Sequence, residues 1–212
     1  YVRGREMSRP MKDVLSEIKG LLDQGVTDIT LLGQNVNSYQ FGLANLLNNI
    51  QPFVICPPEA GAPMAHHLPF VIQFLTSHPR DMSDEIIEAV AALSFVAKDF
   101  MMPLQSGDDE ILKKMNRGYT LEHYLHRVKK IRSLMPVAHI TTDIIVGFPG
   151  ETEAQFENTL RTVEQIKFND VHMFAYSARP LVAAAKLPDQ ISEEVKQVRL
   201  QKLIALVKGS FK

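Results

Sequence analysis

The stretch Ile140–Thr152, ITTDIIVGFPGET, decides the fold. Its first seven residues are apolar or β-branched around a single aspartate, the composition of a buried strand. The strand then stops on two glycines that flank Phe148 and Pro149, and a helix starts at once. Gly147 and Gly150 permit backbone geometry and close ligand approach that a side chain would block, while Pro149 stiffens the turn. Thr152 and Gln155 form a capping-box pair, so the helix begins there, and its N-terminus favours partial negative charge. No Gly-Lys-Ser/Thr follows the turn, so it is not a phosphate-binding Walker loop, nor is it the dinucleotide fingerprint.

Outward from this stretch the same strand-then-helix unit repeats. Short apolar runs begin at Asp28 (DITLLG), Phe70 (FVIQFL), Phe100 (FMMPL), Ile140 and Asp170 (DVHMFAY). Between them lie helically spaced sets: Val14, Ile18, Leu21 and Leu22; Ile86, Ile87, Val90 and Leu93; Tyr124, Val128, Ile131 and Leu134; Phe156, Leu160, Val163 and Ile166. Pro10 suits a first helical position, Gly25 follows a helix end, and Ser83 and Thr120 are N-cap candidates. Such alternation implies an α/β fold with parallel strands, doubly wound or curled into a barrel. The opening helix, Met11 to Asp23, has no strand before it, as if a first strand were missing. Gln51 to Pro69, with five prolines and one glycine, reads as an irregular loop between a helix and a strand. The segment after Ser192 carries Val195, Val198, Leu203 and Leu206 on a face expected to cover a sheet or dock to a following domain.

The chain has 212 residues, 45% of them hydrophobic, enough to bury the core of one ordinary domain. No apolar run is long enough to span a bilayer and the first residues are too polar for a signal peptide, which places the protein in the cytoplasm. One cysteine, Cys56, excludes an internal disulfide framework and any multi-cysteine metal site made by this chain alone. A net charge of −1 offers phosphate no global attraction, so a nucleic acid would be held by a local basic patch or another domain.

In parallel α/β folds ligands sit beyond the carboxyl ends of the strands. Here those ends are polar: GQNVNSY (Gly33–Tyr39), TSHPRD (Thr76–Asp81), QSGDD (Gln105–Asp109), GFPGE (Gly147–Glu151) and YSARP (Tyr176–Pro180). Amides, hydroxyls, a histidine and glycine N–H groups in register suit a polar, adenosine-like or amino-acid-like ligand. Arg3, Arg5, Arg9, Arg80, Arg117 and Arg179 fall in loops near these ends, where arginine suits phosphate or carboxylate. His66 and His67 lie near Cys56 without identifiable further ligands for a metal. His123 and His126 lie three apart on a helix, where an exposed face is the simpler reading.

Taken together, RGREMSRP, LLGQNVNSY, FLTSHPRDMSDE, PLQSGDDEILKKMNRGYT, TTDIIVGFPGETEAQFENTL and PDQISEEVKQVRLQKL resemble the radical-SAM methylthiotransferases. GQNVN, TSHP and PLQSG are most similar to the branch that makes 2-methylthio-N6-isopentenyladenosine beside the tRNA anticodon. The resemblance covers nearly the whole chain except Gln51 to Pro69. It implies a partial (β/α) radical-SAM barrel lacking its first strand and cluster loop, with residues 1–212 as most of the core domain and 180–212 as a C-terminal extension and helix. It further implies S-adenosylmethionine bound on a 4Fe-4S cluster, a second cluster on an N-terminal domain, and a C-terminal β-barrel domain that helps hold tRNA, neither flanking domain lying in this chain. By carry-over, Gly33, Gln34 and Asn35 face the methionine part of the cofactor, Gln105 and Ser106 its ribose, and Asp143 with Ile145, Val146, Gly147, Phe148 and Pro149 the strand segment that packs on its adenine. Arg3, His78, Arg117, Tyr176 and Arg179 are the substrate-side candidates.

The sequence departs from the family where Gln73 replaces an arginine, where Gln51–Pro69 lengthens a connection, and where YSARPLVAAA lacks Gly-Thr-Pro. The family's three cluster cysteines would precede Tyr1, and Cys56 cannot replace them. The expectation is therefore a fragment of a transferase that is inactive by itself, with no catalytic residue or metal ligand of its own. Its unpaired sheet edge predicts lowered stability or self-association. A truncated, non-catalytic module binding tRNA or an adenosine-containing ligand is the alternative. An unrelated barrel enzyme pairing Asp143 with His78 for acid–base chemistry ranks last.

Overall fold

In the computed structural model, which describes residues 7–54, 70–75, 77–179 and 182–210, all five expected strands are present and alternate with helices. The chain divides into two compact units, Tyr1–Asp99 and Phe100–Lys212, where composition suggested one domain.

The first unit runs α1 (Met11–Asp23), β1 (Asp28–Leu31), α2 (Leu43–Val54), β2 (Val71–Phe74) and α3 (Asp84–Ala92). β1 and β2 pair in parallel, from Asp28 opposite Val71 to Leu31 opposite Phe74. On the far edge of β2, Ile72 bridges in parallel to Val96, its N–H donating to the Phe95 carbonyl at 2.8 Å. Leu43, Leu47 and Ile50 of α2, Ile87 and Val90 of α3 and Ile72 are buried together as this unit's core. Each contributes about 1.5–3 kcal/mol through burial. Ser83 caps α3 as expected, accepting from the Ile86 N–H, and the Lys98 ammonium closes its other end on the Val90 and Leu93 carbonyls. Two boundaries differ from the sequence reading. Pro10 is the N-cap of α1, one residue before the first helical position. α2 continues through Pro52 to Val54, so the first four residues of the expected loop are helical. Helical spacing from Leu43 through Leu47 and Ile50 carries that helix past its proline. The rest of the loop, with Cys56, His66 and His67, lies outside the described residues, as do Arg3 and Thr76.

The second unit runs β3 (Asp99–Met101), α4 (Asp109–Lys114), α5 (Leu121–Leu134), β4 (His139–Val146), α6 (Glu153–Ile166), β5 (Asp170–Ala175) and α7 (Glu193–Ser210), with strand order β3-β4-β5. β4 and β5 are parallel, with Asp143 opposite His172 and Ile145 opposite Phe174. β3 ends two residues before Pro103, short of the expected FMMPL run, because proline has no N–H for the ladder. The buried Thr142 hydroxyl patches the gap, accepting from Leu104 N–H at 2.9 Å and donating to the Met102 carbonyl at 3.0 Å. Pairing resumes at Gln105, which bridges in parallel to Ile144. On β4, Ile140, Thr142, Ile144 and Val146 are buried, whereas Thr141, Asp143 and Ile145 are half-buried. One face of the sheet is thus core and the other is open. Thr120 caps α5 and the Thr152–Gln155 box caps α6, as the sequence indicates.

The buried face of α7 matches the expected one only at its C-terminal end, where Leu203 is buried and Leu206 half-buried. Val195 and Val198 are exposed, whereas Lys196, Arg199, Leu203 and Val207 are buried. The long aliphatic stems of the two basic residues pack while their charged ends find acidic partners, so apolar residue type alone misplaces the face.

Candidate functional site

In the second unit the carboxyl end of the sheet is built around the Gly147–Gly150 turn. Gly147 adopts φ +72°, and a Cβ there would stand 2.5 Å from Cγ of Lys196. Its N–H donates to Glu151 Oε2 at 2.7 Å, so the carboxylate beyond the turn folds back and closes it. Glu151 is 2% exposed, and Arg199 reaches it from α7 with Nη1 at 2.8 Å from Oε2 and 2.9 Å from the Glu151 carbonyl. Burial raises the Glu151 pKa; the Gly147 N–H and the Arg199 guanidinium oppose that shift. Phe148 and Pro149 are themselves buried, with the Phe148 ring edge-on to Tyr176 at 5.2 Å. The Tyr176 ring also lies under the Lys196 ammonium at 5.6 Å, and its hydroxyl is buried with no hydrogen-bond partner among the described residues.

The open sheet face beside this turn carries Asp143 and Ile145, both half-buried, with Phe174 51% exposed next to Ile145, and the half-buried Gln105 lies on the neighbouring segment in register with Ile144. Gln105 holds φ +72°, a strained backbone for a residue with a side chain. Asp143 pairs with His172, Oδ1 to Nδ1 at 3.1 Å. Of the carried-over residues, Ser106 is fully buried. Its hydroxyl lies 3.3 Å from Thr159 Oγ1 and holds α6. Gly107 allows that approach, since a Cβ there would fall 2.7 Å from Thr159 Cα. Arg117 lies over the Tyr119 ring, 5.8 Å from its centroid, and Arg179 is exposed.

In the first unit Gly33 and Gln34 are exposed just beyond β1, and Asn35 is half-buried. The Asn35 amide is committed at both ends, donating to Asp81 Oδ2 at 2.5 Å and accepting from the His78 N–H at 3.2 Å. His78 Nδ1 in turn accepts from the Arg80 N–H, and the Arg80 guanidinium grips Asp81 and helps hold its pKa down. Asn35 therefore locks the segment after β1 to the turn after β2. Gln73, where the family carries arginine, bonds across the strand pair to Thr30 at 3.1 Å and Asp28 at 3.2 Å. A cavity of ≈ 800 Å³ is lined by Val14, Glu17, Ile18 and Leu21 of α1, Ile29, Thr30 and Leu31 of β1 and the Gly33–Asn35 segment.

The profile of the Radical SAM superfamily matches residues 1–163, across both units. The chain belongs to the radical SAM superfamily. Solved radical SAM structures share the fold: a coproporphyrinogen III oxidase (HemN) from Escherichia coli superposes with TM-score 0.63 at 19% identity, covering 97% of this chain and 48% of that one. A radical SAM methyltransferase from Sphaerobacter thermophilus gives TM-score 0.52 at 13% identity over 98% of this chain and 56% of the other. Sequence relatives are nearer. The chain is 48% identical to a tRNA-2-methylthio-N(6)-dimethylallyladenosine synthase of Clostridium novyi (98% of this chain, 44% of the relative) and 44% identical to one of Carboxydothermus hydrogenoformans (99% and 46%). It thus spans less than half the length of these relatives.

For a radical SAM chain, the two expected groups meet different residues here. The open face of Asp143, Ile145 and Phe174, with the strained Gln105 on the neighbouring segment, combines a carboxylate–imidazole pair and apolar surface, a set that suits an adenosine moiety. An iron–sulfur cluster is not suited: among the described residues no three His, Cys, Asp or Glu converge, and the sequence holds one cysteine. The sequence reading missed Glu151, Arg199 and His172. Only the strand register, which sets His172 opposite Asp143, was within its reach.

Proposed function

We propose that this chain is most of the catalytic core of a tRNA methylthiotransferase acting at C2 of N6-isopentenyladenosine beside the anticodon, in the cytoplasm. The observation that carries the reading is the 42–48% identity to proteins named as such synthases, sustained over 97–99% of this chain.

In the second unit, Ile145 and the turn from Gly147 to Pro149 offer backbone and apolar surface to the adenine of S-adenosylmethionine, and Gln105 lies on the ribose side. Asp143, held by His172, presents an acceptor beside them. Ser106 acts through its backbone, its hydroxyl being taken up by Thr159. In the first unit, Gly33 and Gln34 serve the methionine end, and Asn35 fixes their segment through Asp81 and His78. S-adenosylmethionine held there would supply hydrogen-abstraction chemistry at C2 of the base, its one-electron reductive cleavage depending on a cluster that these residues do not hold. The protein's task is to hold the adenosine still and to fix its orientation. Tyr176, Arg117 and Arg179, with Arg3, are the proposed contacts on the tRNA side. With one cysteine, these 212 residues alone do not hold the cluster and are proposed to be inactive.

Nucleoside mass spectrometry tests the reading. The intact gene product, expressed in a bacterial strain lacking its own synthase, should restore 2-methylthio-N6-isopentenyladenosine to bulk tRNA, and the 212-residue chain should not. Persistence of unmodified N6-isopentenyladenosine with the intact protein present would contradict it.

A further inference from the structure

The Gly147–Gly150 turn does not stand by its own sequence. Its closing group is the Glu151 carboxylate, which accepts the Gly147 N–H, and Glu151 is held by Arg199, 48 residues later, through one hydrogen bond to that carboxylate and one to the Glu151 carbonyl. Arg199 Nε also lies 3.3 Å from Glu153 Oε2, and Lys202 Nζ lies 2.8 Å from Glu153 Oε1. One turn earlier the Lys196 stem fills the space that a Gly147 side chain would occupy, and its ammonium covers Tyr176. Positions 196, 199 and 202 recur every three residues on one side of α7, so a single helix face meets the turn and the first residues of α6.

We infer that α7 is the brace of the adenosine-facing turn, with Arg199 and Glu151 as positioning residues that set the turn for S-adenosylmethionine without touching it. The inference rests on the adenosine reading of that turn given above. A guanidinium suits this task better than an ammonium, because its fork reaches two residues at once, Nη1 donating to Glu151 and Nε to Glu153. Removing the arginine alone would strand a buried carboxylate and threaten folding. The informative variants are therefore Arg199→Lys, which keeps the charge and loses the fork, and the double variant Arg199→Met with Glu151→Gln, which removes both charges together.

Each is made in the intact gene product and compared with Arg132→Ala. Arg132 ties Ala138, Lys167 and Asn169 at the other end of the same sheet, so its loss should lower Tm without reaching the turn. Two readouts are taken: the Kd of S-adenosylmethionine by calorimetry, and hydrogen exchange of the 147–151 amides without ligand. The expected result is a Kd raised about tenfold in the double variant, within the ~5–150-fold usual for coupled sites. Arg199→Lys should fall between, Arg132→Ala should stay at the wild-type Kd, and amide exchange should quicken only in the two Arg199 variants. Faster exchange with an unchanged Kd would overturn the inference, leaving α7 a purely structural helix. Unchanged exchange would overturn it too. Failure of the wild-type protein itself to bind S-adenosylmethionine would instead bring down the reading of the turn, and the inference with it.

Discussion

Gln105 and Glu151 show how single residues here trade stability for position. Gln105 holds a left-handed backbone that costs a side-chain-bearing residue about 1–2 kcal/mol. Gln105→Gly should relieve most of that cost, raising Tm, while weakening S-adenosylmethionine binding in the intact protein. A raised Tm with unchanged affinity would remove Gln105 from the ligand contacts. Glu151 is held above the ordinary carboxylate range by burial. As pH rises from below the ordinary glutamate pKa through the raised folded one, the folded protein keeps a proton that the unfolded chain has lost. The wild type should therefore lose stability relative to Glu151→Gln across that window and hold a constant difference below and above it. Denaturant unfolding at a series of pH values checks this, and a wild type that gains stability relative to Glu151→Gln as pH rises through the window would contradict the burial argument. Neither residue's role is readable from neighbouring sequence. Glu151 sits in an ordinary-looking helix start, and its partner lies 48 positions away.

At the scale of elements, glycine and threonine placements decide how strands and helices meet. Gly107 lies against the backbone of α6, where a Cβ would approach Asn158 O to 2.9 Å and Thr159 Cα to 2.7 Å. Gly107→Ala should destabilise the fold by about 1–3 kcal/mol, the usual range for overpacking, as read by chemical unfolding; a change below the error of that measurement would mean α6 can shift away. Much at this scale was legible. The five strands follow from β-branched runs and the caps of α3, α5 and α6 from Ser83, Thr120 and Thr152, because those signals are local. Three features were not. The end of β3 depends on Pro103 meeting a ladder, the roles of Ser106 and Asn35 depend on partners in other elements, and the face of α7 depends on basic residues that bury their stems. Of the QSG residues expected at the ribose, Gln105 is half-buried in register with Ile144, whereas Ser106 and Gly107 turn inward to receive α6.

At the scale of the whole molecule, the chain matches its superfamily across both units but spans less than half of its relatives. Among the described residues β1 pairs only with β2, which leaves its other edge unpaired. Such an edge invites pairing with another chain. The 212-residue chain alone should self-associate with rising concentration in sedimentation velocity, whereas a monodisperse monomer would show that the edge is covered. The central claim, a radical-SAM core that needs more than these residues to act, is tested most directly by anaerobic reconstitution with iron and sulfide of the intact gene product and of this chain. Each is then assayed for reductive cleavage of S-adenosylmethionine to 5′-deoxyadenosine. The expected result is 5′-deoxyadenosine from the intact protein alone; formation by the 212-residue chain, or by neither, would contradict the account.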